Sequence, residues 1–400
     1  MTDIANVNSA NAATLKARAD EAVRRGDLRG AAGHLVQATA ISPDDPAMWM
    51  SLAACRRGLG DPIAALAAIE NALRVDPRLF VALLMKATLI EQSGDAGAAG
   101  RAYGVALTQT PPADQVGAAM QQAIAHGREV HDRYRKGLED ALRAGAADVR
   151  SQCASGEARR ADHFIDILTG NRRVYHSEPV QYHYPGLAEV EFFDRADMPW
   201  IEAFEAHTPA IVEELLAVQA AGAGEFTPYI EYPPGIPLNQ WAELNHSRLW
   251  SAFHLLREGL PVEANSTLCP NTMAALACAP QPTVANRSPA AMFSVLSPRT
   301  RIPPHTGVAN TRLVVHLPLI VPDGCGFRVG GTTRLWRVGE AFAFDDTIEH
   351  EAWNDSDEPR TVLICDIWRP DLSEIERALI VEVMKAVDDF GGLAPGPGGL

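Results

Sequence analysis

A 34-residue period in the first third of the chain narrows the possible folds more than any other feature. Gly-Asp pairs begin at Gly26, Gly60 and Gly94. Prolines and three columns of alanine keep the same spacing: Pro43, Pro77 and Pro111; Ala19, Ala53 and Ala87; Ala31, Ala65 and Ala99; Ala38, Ala72 and Ala106. Small residues at fixed places let antiparallel helices approach closely, with Gly-Asp at the turn between them and proline ending the second helix. The pattern predicts a stack of helix pairs.

The repeated unit resembles the tetratricopeptide repeat, with three matched units over roughly residues 12–115. We therefore expect an α-solenoid in residues 1–125. Such a stack is a scaffold whose concave face can hold a peptide, a partner protein or the catalytic domain of its own chain. Helical spacing continues through residues 126–175, which we interpret as a helical linker.

The sequence pattern changes after about residue 175, from helical spacing to short runs typical of strands. Short β-branched or aromatic runs lie between proline, glycine and aspartate turn signals at 292–296, 311–321, 341–344 and 360–368. Many short strands of this kind are typical of an antiparallel barrel or jelly roll, and the helical segments 200–218 and 372–387 would pack outside it. The chain as a whole is expected to be an α + β multidomain protein, with its barrel in 176–390 and a disordered tail in 391–400.

The charge balance argues against two classes of partner. The chain carries 35 basic and 50 acidic side chains, a formal net charge of −15. This excess repels both a phosphate backbone and an anionic membrane surface. We therefore expect no nucleic-acid partner and no membrane partner.

Cysteine usage and hydropathy indicate the compartment. The six cysteines are scattered and form no CxxC pair, which is typical of free thiols in a reducing environment. Residues 1–20 lack the apolar core of a signal peptide, and no stretch approaches the roughly 20 apolar residues that cross a bilayer. These features predict a cytoplasmic protein.

Two histidines stand out from the 12 in the chain by their setting. We expect His305 to end a proline-bound turn that opens a strand, and His350 follows the run Phe344-Asp345-Asp346. Two imidazoles on different strands of a rigid barrel suit a metal site, since imidazole binds iron, copper, nickel and zinc. Arg360, ten residues beyond His350, could bind a dicarboxylate end-on through its planar guanidinium.

These residues lie in a recognisable string of motifs. Met292 to Leu296, Pro304-His305-Thr306-Gly307, Asn310 to Leu317, Phe344 to Asp355 and Arg360 together resemble the aspartyl/asparaginyl β-hydroxylase family over roughly residues 180–372, with flanking motifs at 268–272 and 365–370. Tetratricopeptide repeats ahead of such a domain also occur in that family.

The resemblance implies a double-stranded β-helix, or jelly roll, that binds Fe(II) through His305 and His350. It further implies that Ser294 and Arg360 bind the distal carboxylate of the cosubstrate 2-oxoglutarate, with His316 near its other end. The implied reaction is a dioxygenase reaction in which O₂ and 2-oxoglutarate are consumed and a C–H bond is hydroxylated.

The strand that carries His316 also carries a candidate substrate ligand. Arg312, Val314 and His316 alternate, so the three side chains share one face. If His316 faces the barrel interior, Arg312 does too, as a candidate for a substrate carboxylate. The family pattern often has a second basic residue where this chain has Val314, and another where it has Met292. Loss of two cations weakens the capture of anionic groups by about 1–3 kcal/mol each, and this argues against an aspartyl side chain as the substrate without affecting the proposed chemistry.

The third metal position is the other departure from the usual two-histidine, one-carboxylate set. Gly307 stands where the carboxylate usually is, and Gly307 cannot be a ligand. In the resembled family water fills that position. Asp345 and Asp346 could supply a ligand, but we expect them to orient a neighbouring group or to hold a turn.

Several functions fit this sequence. The first is hydroxylation of an aspartyl/asparaginyl-like residue, a peptide or protein, or an amino-acid-derived substrate. A second is halogenation, with chloride in the position next to Gly307, and a third is action on a small natural-product intermediate. The non-enzyme alternative is a repeat scaffold whose barrel only binds a metal.

Overall fold

The computed structural model describes residues 2–222 and 226–391 and divides into two compact units, Met1–Asn171 and Arg172–Leu400. The first unit is helical throughout its described part: α1 Thr2–Arg24, α2 Leu28–Ile41, α3 Pro46–Gly58, α4 Pro62–Val75, α5 Phe80–Gln92, α6 Ala96–Leu107, α7 Ala118–Arg150 and α8 Ser155–Leu168. It therefore includes most of the segment 126–175 that the sequence suggests is a linker. Residue 126 lies inside the continuous helix α7. Residues 392–400, nearly all of the expected tail, lie outside the described residues.

The helix pairs follow the 34-residue period. Gly26, Gly60 and Gly94 adopt positive φ at the turns before α2, α4 and α6. The aspartate after each of these glycines caps the following helix by accepting a backbone N–H hydrogen bond. All nine alanines of the three columns are completely buried. The predicted helical repeats are therefore confirmed. The buried alanines let neighbouring helices pack closely.

The second unit holds two antiparallel sheets and five α-helices in its described part. The strands are β1 Thr227–Pro228, β2 Trp250–Arg257, β3 Leu260–Pro261, β4 Ala291–Leu296, β5 Thr300–His305, β6 Arg312–Ile320, β7 Cys325–Val329, β8 Thr332–Arg334, β9 Phe342–Phe344, β10 His350–Asn354 and β11 Arg360–Trp368. The helices are α9 Ile201–Glu205, α10 Thr208–Ala221, α11 Glu263–Ser266, α12 Pro270–Leu276 and α13 Glu374–Asp389. The large sheet has the order β1-β2-β4-β11-β6-β9 with β3 beside β2, and the small sheet has the order β5-β10-β7-β8.

The large sheet buries both of its faces, and the alternation along β4, β6 and β11 decides what each face contacts. One face packs against α9, α10 and α12 through residues such as Phe293, Val315 and Leu363. The opposite face contributes Met292, Val314 and Ile364 to a second apolar cluster, shared with the small sheet. Because side chains alternate along a strand, the polar residues at even positions of these strands lie on this second face.

One sequence expectation is wrong in detail. His305 does not open a strand but is the last residue of β5. Pro303 and Pro304 are accommodated because β5 is an edge strand of the small sheet and because its pairing with β10 is irregular between Ile302 and His305.

Candidate active site

The two sheets enclose a cavity of about 490 Å³. The side chains of all six residues singled out by the sequence line it: Ser294, His305, Arg312, His316, His350 and Arg360. They come from both sheets, with His305 and His350 on the small sheet and the other four on β4, β6 and β11 of the large sheet. The fold thus brings residues that are up to 66 positions apart into one chamber.

His305 and His350 lie side by side. β5 and β10 pair with His305 directly opposite His350, and the centroids of the two rings are 4.0 Å apart. Each ring is held by the carbonyl two residues before it, since Nδ1 of His305 lies 2.8 Å from the Pro303 carbonyl oxygen and Nδ1 of His350 lies 3.1 Å from the Ile348 carbonyl oxygen. A carbonyl oxygen only accepts, so Nδ1 carries the proton and donates in both rings, and each Nε2 keeps a lone pair.

The electrostatics keep both rings neutral. Burial lowers the pKa of His305 to about 4. Burial, with a smaller contribution from His305, holds the pKa of His350 well below its usual value. A neutral imidazole with one nitrogen donating to a carbonyl and the other free is the state in which histidine binds a metal. The pair therefore fits a metal ion.

Arg360 is a buried cation that lines the same cavity. Its side chain is 1% exposed, and burial lowers the pKa of its guanidinium to about 10. Among the described residues, Nε and one terminal nitrogen of Arg360 find no hydrogen-bond partner. An unpartnered buried guanidinium is costly unless an anion completes it, so this end of the chamber fits a carboxylate ligand.

Neighbouring groups extend the site around Arg360. In the large sheet β11 lies between β4 and β6, with Val362 opposite Ser294 and Ile364 opposite His316. The side chains of Ser294, His316 and Arg360 therefore lie on the same wall of the cavity. The Ser294 hydroxyl accepts a hydrogen bond from Trp250 Nε1 at 3.0 Å and keeps its own proton to donate. Burial and the nearby Arg360 hold the pKa of His316 well below its usual value, so His316 is neutral as well.

Sequence reasoning missed three residues of this site. Trp336 lies under the Arg360 guanidinium, which is 4.7 Å from the centroid of its indole ring system. Trp250 holds Ser294, as described above. Asp366 accepts hydrogen bonds from Ser288 and from the Ala290 amide and pairs with Arg312. Alternation along β11 could have predicted Asp366, because Asp366 lies on the same face of the strand as Arg360. No sequence signal pointed to the two tryptophans.

Arg312 faces the cavity, as the alternation along β6 predicts, but its guanidinium is already paired. One terminal nitrogen lies 3.1 Å from Asp346 Oδ2 and the other lies 3.3 Å from Asp366 Oδ1. The guanidinium is therefore held between two carboxylates.

Asp345 and Asp346 differ in what they contact. Asp345 accepts hydrogen bonds from the Thr347 amide and hydroxyl and pairs with Arg369, so it holds the turn before His350. Asp346 lies against Gly307, where a Cβ atom would come within 2.0 Å of Asp346 Oδ2. Glycine is thus required at 307 by the carboxylate beside it. Within the described residues, no group of three or more His, Cys, Asp or Glu side chains is arranged to hold a metal ion.

We expect the Asp345–Arg369 pair to be the main electrostatic support of the turn before His350. The two side chains are 0% and 1% exposed and 2.7 Å apart. Arg369→Ala leaves the Asp345 charge buried without its partner and should lower the free energy of unfolding by about 3–5 kcal/mol. Urea unfolding measures this loss, and the matched control is Arg299→Ala, whose pair with Asp357 is 63% and 85% exposed. The control should lose less than about 1 kcal/mol; equal losses would contradict this role for Arg369.

Comparison with known proteins agrees with this site. The family model described as aspartyl/asparaginyl beta-hydroxylase matches residues 205–370. An ornithine lipid ester-linked acyl 2-hydroxylase of Rhizobium tropici is 34% identical over 48% of this chain and 66% of its own length. The human aspartyl/asparaginyl beta-hydroxylase is 33% identical over 44% of this chain and 22% of its own length. The chain thus spans less than two thirds of the length of either relative.

The helical repeats also have solved counterparts. The tetratricopeptide-repeat domain of Sgt2 from Aspergillus fumigatus is 22% identical, with a TM-score of 0.27, over 31% of this chain and 82% of that one. The repeats of this chain rest on their own helix pairs and buried alanines. With its motif residues gathered in one cavity and its sequence matched over 205–370, the second unit of this chain is similar to the aspartyl/asparaginyl β-hydroxylase family, and it follows N-terminal tetratricopeptide-like repeats in the sequence.

Proposed function

We propose that this chain is an Fe(II)- and 2-oxoglutarate-dependent dioxygenase that hydroxylates a C–H bond. One observation carries the proposal: a pair of neutral imidazoles, each with Nδ1 held by a carbonyl, shares a cavity with a buried guanidinium that lacks a hydrogen-bond partner for two of its nitrogens among the described residues. The first feature suits a metal ion and the second suits a carboxylate of a bound cosubstrate.

The residues divide the work as follows. His305 and His350 would hold the iron through Nε2. Arg360 would bind the distal carboxylate of 2-oxoglutarate, with Ser294 donating its hydroxyl proton and His316 nearby. Iron with 2-oxoglutarate and O₂ supplies the oxidant that removes hydrogen from a C–H bond and returns hydroxyl. The protein keeps the chamber dry with Trp241, Trp250 and Phe327, and it decides which carbon lies nearest.

Asp346 favours hydroxylation over halogenation. Its carboxylate lies against Gly307, so a halide ligand beside Gly307 would be next to a second anion. Two anions in contact repel, whereas a water molecule could donate a hydrogen bond to Asp346, whose Oδ1 has no partner among the described residues. A water molecule is therefore the better third occupant.

The proposal extends to the fold of the second unit. Two antiparallel sheets that share one apolar cluster and a central cavity, with the ligand pair on the smaller sheet, fit a double-stranded β-helix. The relatives suggest two substrate types, an aspartyl/asparaginyl residue of a peptide or protein and the acyl part of a lipid, in line with their names. The repeats could present a peptide or protein partner.

Turnover tests the proposal. The full chain is incubated with Fe(II), ascorbate, 2-oxoglutarate and O₂, and succinate is measured with and without candidate substrates, with mass spectrometry of the products. We expect succinate to form and a product to gain one oxygen atom. Iron and 2-oxoglutarate that bind without yielding succinate with any substrate would instead favour a non-catalytic scaffold.

A further inference from the structure

The cations that line the cavity are unequal in their freedom to bind an anion. Arg287 is paired with Asp388, and Arg312 is held between Asp346 and Asp366. Arg360 alone, among the described lining residues, is a cation without a carboxylate partner. Once 2-oxoglutarate occupies Arg360, every remaining arginine of the described lining is already neutralised.

Apolar side chains form a large part of the cavity lining besides these cations. Met292, Val314 and Ile364 line the cavity from the large sheet, and Ile302 and Ala352 line it from the small sheet. All five are less than 10% exposed. A group that enters this space leaves water and contacts hydrocarbon, which favours a hydrocarbon chain and disfavours a charge.

The part of the lining contributed by α13 and its neighbours is also apolar. Val284, Trp368 and Ile380 form a small apolar cluster there, against which Met384 packs, and all four line the cavity. On the same helix, α13, Leu379 and Val383 are exposed. An apolar path therefore runs from the surface of α13 toward the histidine pair.

We propose that the part of the substrate next to the candidate iron is an uncharged hydrocarbon chain of acyl type, and that Val314 together with the paired Arg312 sets this preference. This inference rests on the proposed function. A substrate carboxylate in the same place would lie near Asp346, which already bears an oxygen without a hydrogen-bond partner among the described residues. The charge of Arg312 is already balanced by its ion pairs with Asp346 and Asp366, although one of its terminal nitrogens makes no hydrogen bond to a described residue. An acidic side chain is therefore excluded by charge, and an acyl chain is accepted by the walls.

Binding of one neutral and two anionic probes tests the proposal without turnover. The full chain is loaded with redox-inert Zn(II) and saturating 2-oxoglutarate, so that Arg360 is occupied. Tryptophan fluorescence is then titrated with octanamide, octanoate and N-acetyl-aspartyl methylamide, since Trp241, Trp250 and Trp368 line the cavity. We expect octanamide to bind at least about tenfold more tightly than either anion. Equal or tighter binding of either anion, or no binding of octanamide, would overturn the proposal.

A substitution reverses the preference if the cause is correct. Val314→Arg adds a cation with no assigned carboxylate, and we expect octanoate to gain at least about tenfold in affinity while octanamide loses affinity. Val314→Leu, the matched apolar control, should change neither value by more than about threefold. If Val314→Arg does not fold, Asp366→Asn removes half of the Arg312 pairing without a change of shape and should likewise favour octanoate. Failure of octanoate to gain in the folded variant would contradict the assigned cause.

The outcome can be separated from the proposed function. If 2-oxoglutarate itself does not bind, the proposed function fails, and the three probes are compared in an Arg360→Gln chain, which lacks the free cation. A preference for octanamide there would still support an uncharged chain in the cavity, and a preference for the aspartyl probe would favour an acidic peptide instead.

Discussion

Replacing either His305 or His350 with alanine should abolish turnover while leaving the fold intact. Each ring supplies one of only two protein ligands in the proposed site. If four ligands of a structural zinc site share about 10–16 kcal/mol, one ligand is worth about 3 kcal/mol, or roughly a hundredfold in metal affinity. Both variants should therefore lose iron under conditions that saturate the unchanged chain. Iron content after desalting, succinate formation and the circular dichroism spectrum measure the three quantities.

Two other histidines serve as controls for this prediction. His316 is buried in the same chamber, so His316→Ala should impair turnover less than loss of either ligand and should keep the iron. His126, an exposed residue of the helical unit, should be replaceable without effect. Equal loss of iron in the His316 and His350 variants would mean that the ligand pair is assigned wrongly.

Replacing Arg360 with methionine should have opposite effects on binding and on stability. Two charged hydrogen bonds to a carboxylate contribute about 1.5–3 kcal/mol each, so the requirement for 2-oxoglutarate should rise by on the order of 10²–10⁴-fold. In the ligand-free chain the same change removes a buried charge that has no partner among the described residues. The free energy of unfolding should then rise by about 1–3 kcal/mol. The dependence of succinate formation on 2-oxoglutarate and urea unfolding measure the two effects.

Arg369 is the matched contrast for Arg360. Both arginines are at most 1% exposed, but Arg369 has carboxylate partners and Arg360 has none in the described residues. Truncation should therefore destabilise the chain at 369 and stabilise it at 360. An unchanged 2-oxoglutarate requirement in Arg360→Met would remove Arg360 from the cosubstrate site.

The helical repeats could be predicted from the sequence because their constraints are local. The turn glycines, the capping aspartates and the buried alanines all lie within one 34-residue unit and recur three times. Each feature answers a requirement of two adjacent helices, so no distant contact has to be known. The described residues add that none of the helices is long and apolar enough to cross a membrane.

The strands could be predicted only in part. The runs at 292–296, 311–321, 341–344 and 360–368 agree with β4, β6, β9 and β11, which are buried and rich in β-branched or aromatic residues. The prediction that His305 opens a strand was wrong because the two prolines before it are typical of a turn. β5 nevertheless contains them, since it lies at the edge of the small sheet and pairs irregularly with β10 there.

The candidate site was predictable as a set of residues but not as a set of charges. The motif string identified which side chains would meet, and alternation along β6 placed Arg312 and His316 on the cavity face. The pairing of Arg312 with Asp366 depends on the neighbouring positions of β6 and β11, which are 54 residues apart in sequence. Long-range pairing of this kind has no local signal, and it changes Arg312 from a free cation into a neutralised one.

In the proposed function, His305, His350 and Arg360 form one site for iron and 2-oxoglutarate. Anaerobic titration of the Fe(II)-loaded full chain with 2-oxoglutarate, followed by visible absorption, tests it most directly, since chelation of iron by the keto acid gives a weak charge-transfer band. We expect a saturable band that is absent in His350→Ala and shifted to much higher 2-oxoglutarate concentration in Arg360→Met. An unchanged chain that binds iron but shows no band at saturating 2-oxoglutarate would contradict the claim.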